Sequence, residues 1–289
     1  MFEGTYVALA TPFKNGKVNE NEYKKLIDFV IENGVDGIVP CGTTGESATL
    51  SHEEHIEVVK MAKEFAKGRV KILAGSGSNC TREALYLSEK IAETGVDGLL
   101  IITPYYNKPT QKGLYLHYKL IADTVKLPIV VYTVPSRTGI NISIDTLKKL
   151  SEECENIVAV KDATGNLDYT CDILNETDLT VLSGNDNLTF PMMALGASGC
   201  ISVVANILPN KVSKMVKLCL RGEFGKARKI HFECLDICRK LFVETNPIPV
   251  KTALSLMGII NGELRLPLCE MEENNLEILK SSMKKLNLI

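Results

Sequence analysis

The chain has 289 residues with 33 basic and 35 acidic side chains, a formal charge of −2 that offers nucleic acid or an acidic membrane little electrostatic attraction. Hydrophobic residues at 45% and charged ones at 24% are ordinary for a globular protein and exclude a disordered or low-complexity chain. The length fits one large barrel, or one domain with a smaller appendage, better than a string of modules.

The opening MFEGTYVALATPF has no basic leader, and Glu3, Gly4, Thr11 and Pro12 interrupt it before any apolar stretch reaches secretory or membrane-spanning length, so a soluble cytoplasmic protein is expected. Its core, TYVALA, is the first of a series of short apolar runs. A helix follows, with Tyr23, Leu26, Ile27, Val30 and Ile31 at helical spacing after the cap-like Asn19 and Glu22. After DGIVP comes the segment containing His52 and His55. Its His-x-x-His spacing is one residue short of the His-Glu-x-x-His zinc pattern, and Ser51 with Glu54 reads as a helix capping box. VKILAG, DGLLII, PIVVYT, NIVAVK, LTVLS and GCISVV then bring the apolar strings to eight. Each is nearly continuous, as parallel strands buried on both faces require. Amphipathic stretches alternate with them, among them a stripe of Leu167, Thr170, Cys171 and Leu174, and NGVDGIVP is partly echoed by TGVDGLLI, which suggests a repeated strand entry.

Eight strands alternating with helices predict an α/β fold, a (β/α)8 TIM barrel over residues 1–223. Beyond Gly222 the strands stop, and helical patterns near 224–245, 250–260 and 274–288 predict a small C-terminal three-helix domain over 224–289. Nine cysteines are an odd count without a Cys-x-x-Cys pair, since Cys234 and Cys238 lie four apart on a helical pattern; buried reduced thiols are expected. There is no Walker loop and no Gly-x-Ser-x-Gly elbow, and GSGSN lacks the third glycine of a dinucleotide fingerprint. No metal or cofactor is expected.

Turn residues lead into the strings, whereas CGTTGES, GSGSN, TPYYN, YTVPSRTG, KDATGN, SGNDN and SVVAN leave them, so the reactive side chains gather at the carboxyl face where barrel enzymes place their sites. Lys161 ends the run Ile157, Val158, Ala159 and Val160. Burial there lowers an amine's pKa, and a neutral amine condenses with a ketone to a Schiff base that serves as an electron sink without a metal. The plainer alternative is a lysine reaching solvent from a strand end. Tyr132, leaving the preceding strand, suits the proton transfers of imine chemistry, and Thr44 and Tyr106 extend a hydroxyl relay; either tyrosine can instead be a packing residue with a wet tip. The loop Gly42, Thr43, Thr44, Gly45 presents hydroxyls and N–H groups to a small carboxylate, unless it is only a tight turn. Arg137 offers a planar fork to a second carboxylate, a role most exposed arginines do not have.

These residues carry a resemblance. GTTGES at 42–47, TPYYN at 103–107, YTVPSRTG at 132–139, KDATGN from Lys161, SGND at 183–186, ISVVAN at 201–206 and NPIPVK at 246–251 resemble the dihydrodipicolinate synthase family, in the same order over essentially the whole chain. The resemblance implies a class I aldolase-type enzyme that condenses pyruvate with L-aspartate 4-semialdehyde in lysine and diaminopimelate biosynthesis. It implies a homotetramer built as a dimer of tight dimers, with Tyr106 reaching the neighbouring subunit's site. By position, Lys161 would form the imine, Tyr132, Thr44 and Tyr106 the relay, and Thr43 and Thr44 the pyruvate carboxylate site. Gly184 and Ile201 would line the pocket, and Arg137 would receive the semialdehyde carboxylate. Ser47, Ala48, His52, His55, Asn79, Glu83 and Tyr105 match the allosteric lysine site of inhibited relatives, with the two histidines bordering the ε-amino end. One departure is Thr133, where relatives more often have Asn. The nearest alternatives are another pyruvate-dependent aldolase of the superfamily, acting on N-acetylneuraminate or a 2-keto-3-deoxy sugar acid, and a non-catalytic keto-acid or lysine sensor. Arg137 and the complete GTTGESATL segment favour the synthase over the first, and the full set of reactive side chains favours it over the second.

Overall fold

The computed structural model describes residues 2–289. Each of the eight apolar strings marks one strand, with Gly4 and Asp162 falling just outside their strings: β1 Gly4–Ala8, β2 Gly37–Val39, β3 Lys71–Gly75, β4 Gly98–Ile102, β5 Ile129–Thr133, β6 Ile157–Asp162, β7 Thr180–Ser183 and β8 Gly199–Ser202. All pair in parallel with their chain neighbours, and β8 returns to β1 with Gly4 opposite Gly199, which closes the TIM barrel. Helices alternate with the strands from Glu20–Glu32 to Pro209–Leu220. A short antiparallel hairpin, Phe13–Lys14 with Lys17–Val18, turns at Asn15 and Gly16, both in the left-handed region, and was not legible from the apolar pattern.

The V-D-G echo has a physical cause. Asp36 Oδ2 accepts from the Thr5 backbone N–H at 2.8 Å, and Asp97 Oδ2 accepts from that of Ile72 at the same distance, so each aspartate ties its strand entry to a neighbouring strand. The following glycines leave room for rings. A Cβ on Gly37 would lie 2.2 Å from the Tyr6 ring and one on Gly98 2.5 Å from that of Phe2.

The helix faces divide less simply. In Glu20–Glu32, Asn19 caps the N-terminus by accepting from the Glu22 N–H, and Tyr23, Leu26, Ile27 and Val30 are buried as expected. Ser51 and Glu54 form the reciprocal capping box. In Leu167–Glu176 the buried residues are Tyr169, Thr170 and Ile173, whereas Cys171 is exposed. The stripe is rotated because Tyr169 packs inward and donates to the Ile142 carbonyl at 2.7 Å. All nine cysteines are free; the exposed Cys171 and Cys269 and the half-buried Cys80 correct the expectation of uniform burial.

Three helices follow the barrel, Phe224–Lys240, Ile248–Leu256 and Glu273–Lys285. The first ends five residues before the expected Thr245, because Phe242 and Thr245 turn into cavities at the barrel mouth instead of continuing a helical face. No helix among the described residues is long and apolar enough to cross a membrane.

Candidate active site

The carboxyl ends of the strands enclose a cavity of about 190 Å³ whose lining includes Thr43, Thr44, Tyr132, Arg137, Lys161 and Gly184. It adjoins a larger one of about 350 Å³ that shares Gly42, Thr43, Tyr132 and Arg137 with it. Parallel pairing places Lys161 of β6 opposite Tyr132 of β5, and the lysine Nζ lies 4.1 Å from the centre of the tyrosine ring. Lys161 is only 7% exposed. Burial pushes its amine down to about 8 and the nearby Arg137 charge acts in the same direction, while Asp186 opposes both. The ring face would favour a cation, yet desolvation prevails. A sizeable fraction of the amine is therefore neutral near physiological pH, as nucleophilic attack on a carbonyl requires.

Burial raises the Tyr132 phenol, opposed by Arg137 and by the Thr43 hydroxyl, so it keeps its proton at neutral pH and can donate it. Thr44, buried on the loop after β2, accepts from Asn246 Nδ2 at 3.0 Å, which leaves its own O–H free to donate. The Asn246 carbonyl accepts from Arg137 Nη2 at 3.0 Å. Arg137 lies on the short helix Pro135–Thr138 that leaves β5. A Cβ on Gly184 would approach Ala163 Cβ at 2.7 Å and Lys161 Cε at 3.1 Å, so this glycine leaves the space that the lysine stem occupies.

The structure does not gather every residue expected at the site. Ile201 lies buried in β8 and does not line the cavity, which Val203 lines instead. Tyr106, in the left-handed region at φ 70°, is 89% exposed and away from its own chain's cavity. Of the residues matched to a lysine site, Ser47, Ala48 and Tyr105 line the larger cavity. Glu83 accepts from Ser78 Oγ at 2.8 Å, the Asn79 carbonyl accepts from Asn107 Nδ2 at 2.8 Å, and His52 packs beside the Tyr86 ring. His55 differs from its expected place at a cleft border. It is buried and lowered in pKa by burial, with Nε2 2.7 Å from the Gly75 carbonyl oxygen.

Sequence reasoning missed Asn246, which joins Thr44 to Arg137, and Asp186, whose buried carboxylate accepts from Ser202 Oγ and from the Val203 and Val204 N–H groups. The signals were present in NPIPVK and SGND, but neither motif states what its polar residue touches.

Residues 1–286 match the model of the dihydrodipicolinate synthetase family. The 4-hydroxy-tetrahydrodipicolinate synthase of Methanocaldococcus jannaschii is 53% identical over 100% of both chains. The chloride-inhibited dihydrodipicolinate synthase of Acinetobacter baumannii, solved with pyruvate, is 42% identical with a TM-score of 0.97 over 100% of both chains. The enzyme of Cyanidioschyzon merolae, solved with lysine bound, is 39% identical with a TM-score of 0.97, covering 100% of this chain and 99% of that one. With a full-length family match and a barrel that superposes throughout its length, the chain belongs to the dihydrodipicolinate synthetase family.

Proposed function

We propose that this protein condenses pyruvate with L-aspartate 4-semialdehyde, through an imine on Lys161, to 4-hydroxy-tetrahydrodipicolinate in lysine and diaminopimelate biosynthesis. The observation that carries the reading is a buried amine lowered to about 8 beside Tyr132, in a small cavity with Thr43, Thr44 and Arg137. The Lys161 nitrogen attacks the ketone carbon of pyruvate and water departs, leaving the imine. Loss of a methyl proton gives an enamine whose carbon attacks the semialdehyde aldehyde. The amino group of the incoming substrate then displaces the lysine and closes the ring. Tyr132 and Thr44 carry protons between these steps, Thr43 and Thr44 hold the pyruvate carboxylate, and Arg137 meets the semialdehyde carboxylate. Gly184 keeps open the space beside the lysine. Pyruvate in the Acinetobacter baumannii structure supports the first substrate.

The test is a coupled assay with pyruvate and aspartate semialdehyde, run beside N-acetylneuraminate and a 2-keto-3-deoxy sugar acid. Condensation with the semialdehyde alone is expected. Cleavage of either sugar acid without condensation, or pyruvate binding without turnover, would overturn the assignment.

A homotetramer, as a dimer of tight dimers, is part of the proposal. Tyr106 at 89% exposure supports a contact that carries it into the partner's site, and exposed Leu195, Phe224 and Phe232 support a second one. Tyr106→Phe is expected to lower turnover roughly 10²-fold or more while leaving the barrel folded. Mixing it with Lys161→Ala should restore part of the activity, since a heterodimer then holds one site with both residues intact. No recovery despite demonstrated subunit exchange would place Tyr106 in its own chain's site. The nine unpaired cysteines support a reducing compartment, the cytoplasm.

We further propose that L-lysine binds at the dimer contact, where Ser47, Ala48 and Tyr105 line the larger cavity and His52, Asn79 and Glu83 complete the site, with His55 buttressing it from the core. Because Tyr105 adjoins Tyr106, occupancy would shift the relay and inhibit in part. Lysine in the Cyanidioschyzon merolae structure supports the reading. Calorimetry at millimolar lysine should show binding together with a reduced initial rate; absence of both would refute it without touching the catalytic assignment.

A further inference from the structure

Two residues beyond the paired threonines, the same loop carries a buried charge. Glu46 is 3% exposed and Lys251 is fully buried, and Lys251 Nζ lies 2.5 Å from Glu46 Oε1. The second carboxylate oxygen accepts from the Arg265 backbone N–H at 3.2 Å. Lys251 Nζ and the Arg265 guanidinium each lie 4.3 Å from the centre of the Phe13 ring, so one aromatic ring packs against both cations. Arg265 in turn grips the far end of the loop, donating to the Thr49 carbonyl at 2.8 Å and to both carboxylate oxygens of Glu54.

A buried ion pair costs desolvation on both partners and is weak evidence for stability as such. The backbone of Glu46 shows where its constraint is applied. It is held in the left-handed region at φ 52°, its N–H donates to the Thr43 carbonyl at 3.1 Å, and its carbonyl accepts from the Thr49 N–H and hydroxyl. Five residues before Lys251, Asn246 donates to Thr44 Oγ1. The segment 246–251 therefore holds the loop at two points, a hydrogen bond on Thr44 and an ion pair on Glu46, and the Thr43 carbonyl is bonded across the turn to the N–H of Glu46 itself.

We infer that the Glu46–Lys251 pair is a positioning device that sets the Thr43–Thr44 loop against the imine lysine, so that the C-terminal segment tunes pyruvate binding and proton relay through a pair that is not in the lining of the smaller cavity. The inference rests on the function proposed above. Misplacing a reacting group by about 1 Å costs on the order of 10²-fold, so a small slackening of this loop should reach the chemistry.

The experiment measures pyruvate KM and turnover per active site in the full-length protein, with sites counted as lysines trapped by borohydride in saturating pyruvate. Counting removes the effect of a partly unfolded population, which lowers total activity without changing KM or turnover per trapped site. Glu46→Gln keeps the shape of the side chain and removes its charge. It is expected to raise pyruvate KM and lower turnover per site roughly 10-fold or more. Glu46→Gln/Lys251→Met removes both charges together and avoids an uncompensated ammonium, so its Tm should return toward that of the native protein while turnover per site stays low. Native KM and turnover per site in either variant would overturn the inference and leave the pair a purely structural one. An inactive native protein would instead refute the proposed function.

Discussion

Lys161→Met is expected to abolish condensation and borohydride trapping of pyruvate while making the fold more stable at neutral pH. The native amine sits at about 8 against an ordinary 10.5, so the unfolded chain binds more protons between those values. Stability therefore rises with pH through that window. The penalty for burying the ammonium is complete below about pH 8 and gone above the unfolded value. A shift of this size corresponds to about 3 kcal/mol, which the methionine variant should gain at pH 7 and progressively lose as pH approaches the unfolded pKa. Urea titrations at neutral and alkaline pH check the sign, and peptide mass mapping after borohydride checks the adduct. An adduct on another lysine, or activity retained in the variant, would remove Lys161 from the proposed mechanism.

Arg137→Ala should weaken use of aspartate semialdehyde far more than imine formation with pyruvate. The loss of a charge-assisted hydrogen bond is worth about 1.5–3 kcal/mol, or roughly ten- to a hundredfold in kcat/KM for the second substrate. A smaller effect accompanies it. The Arg137 charge helps to hold the Lys161 amine down, so its removal should move the acid limb of the pH–rate profile to higher pH. Arg137 also donates to the Asn246 carbonyl, and Arg137→Lys, which keeps the charge but not the fork, separates the two contributions. Lysine should restore the acid limb more fully than it restores semialdehyde use. Equal loss of both half-reactions in Arg137→Ala would mean that the arginine mainly supports Asn246.

The sequence by itself determined the barrel, because strands covered on both faces must be apolar throughout and eight such strings leave few other arrangements. It also singled out Lys161, since a lysine ending an apolar strand is conspicuous wherever its side chain finally points. The repeated V-D-G entry was legible for the same reason: Asp36 and Asp97 act on strands next to their own, and Gly37 and Gly98 meet rings close by. Helix faces were less legible. Periodicity gives an apolar stripe without its rotation, so Cys171 was read as buried in place of Tyr169, and His55 as bordering a cleft when it faces the core. Only the tertiary structure decided how the C-terminal helices serve the barrel mouth. Asn246 meets Thr44 across 202 positions of sequence and Lys251 meets Glu46 across 205. Local pattern records the polarity of such residues but not their partners. A buried lysine within an apolar helix is explained only when the closed barrel brings a carboxylate to within hydrogen-bonding distance of it.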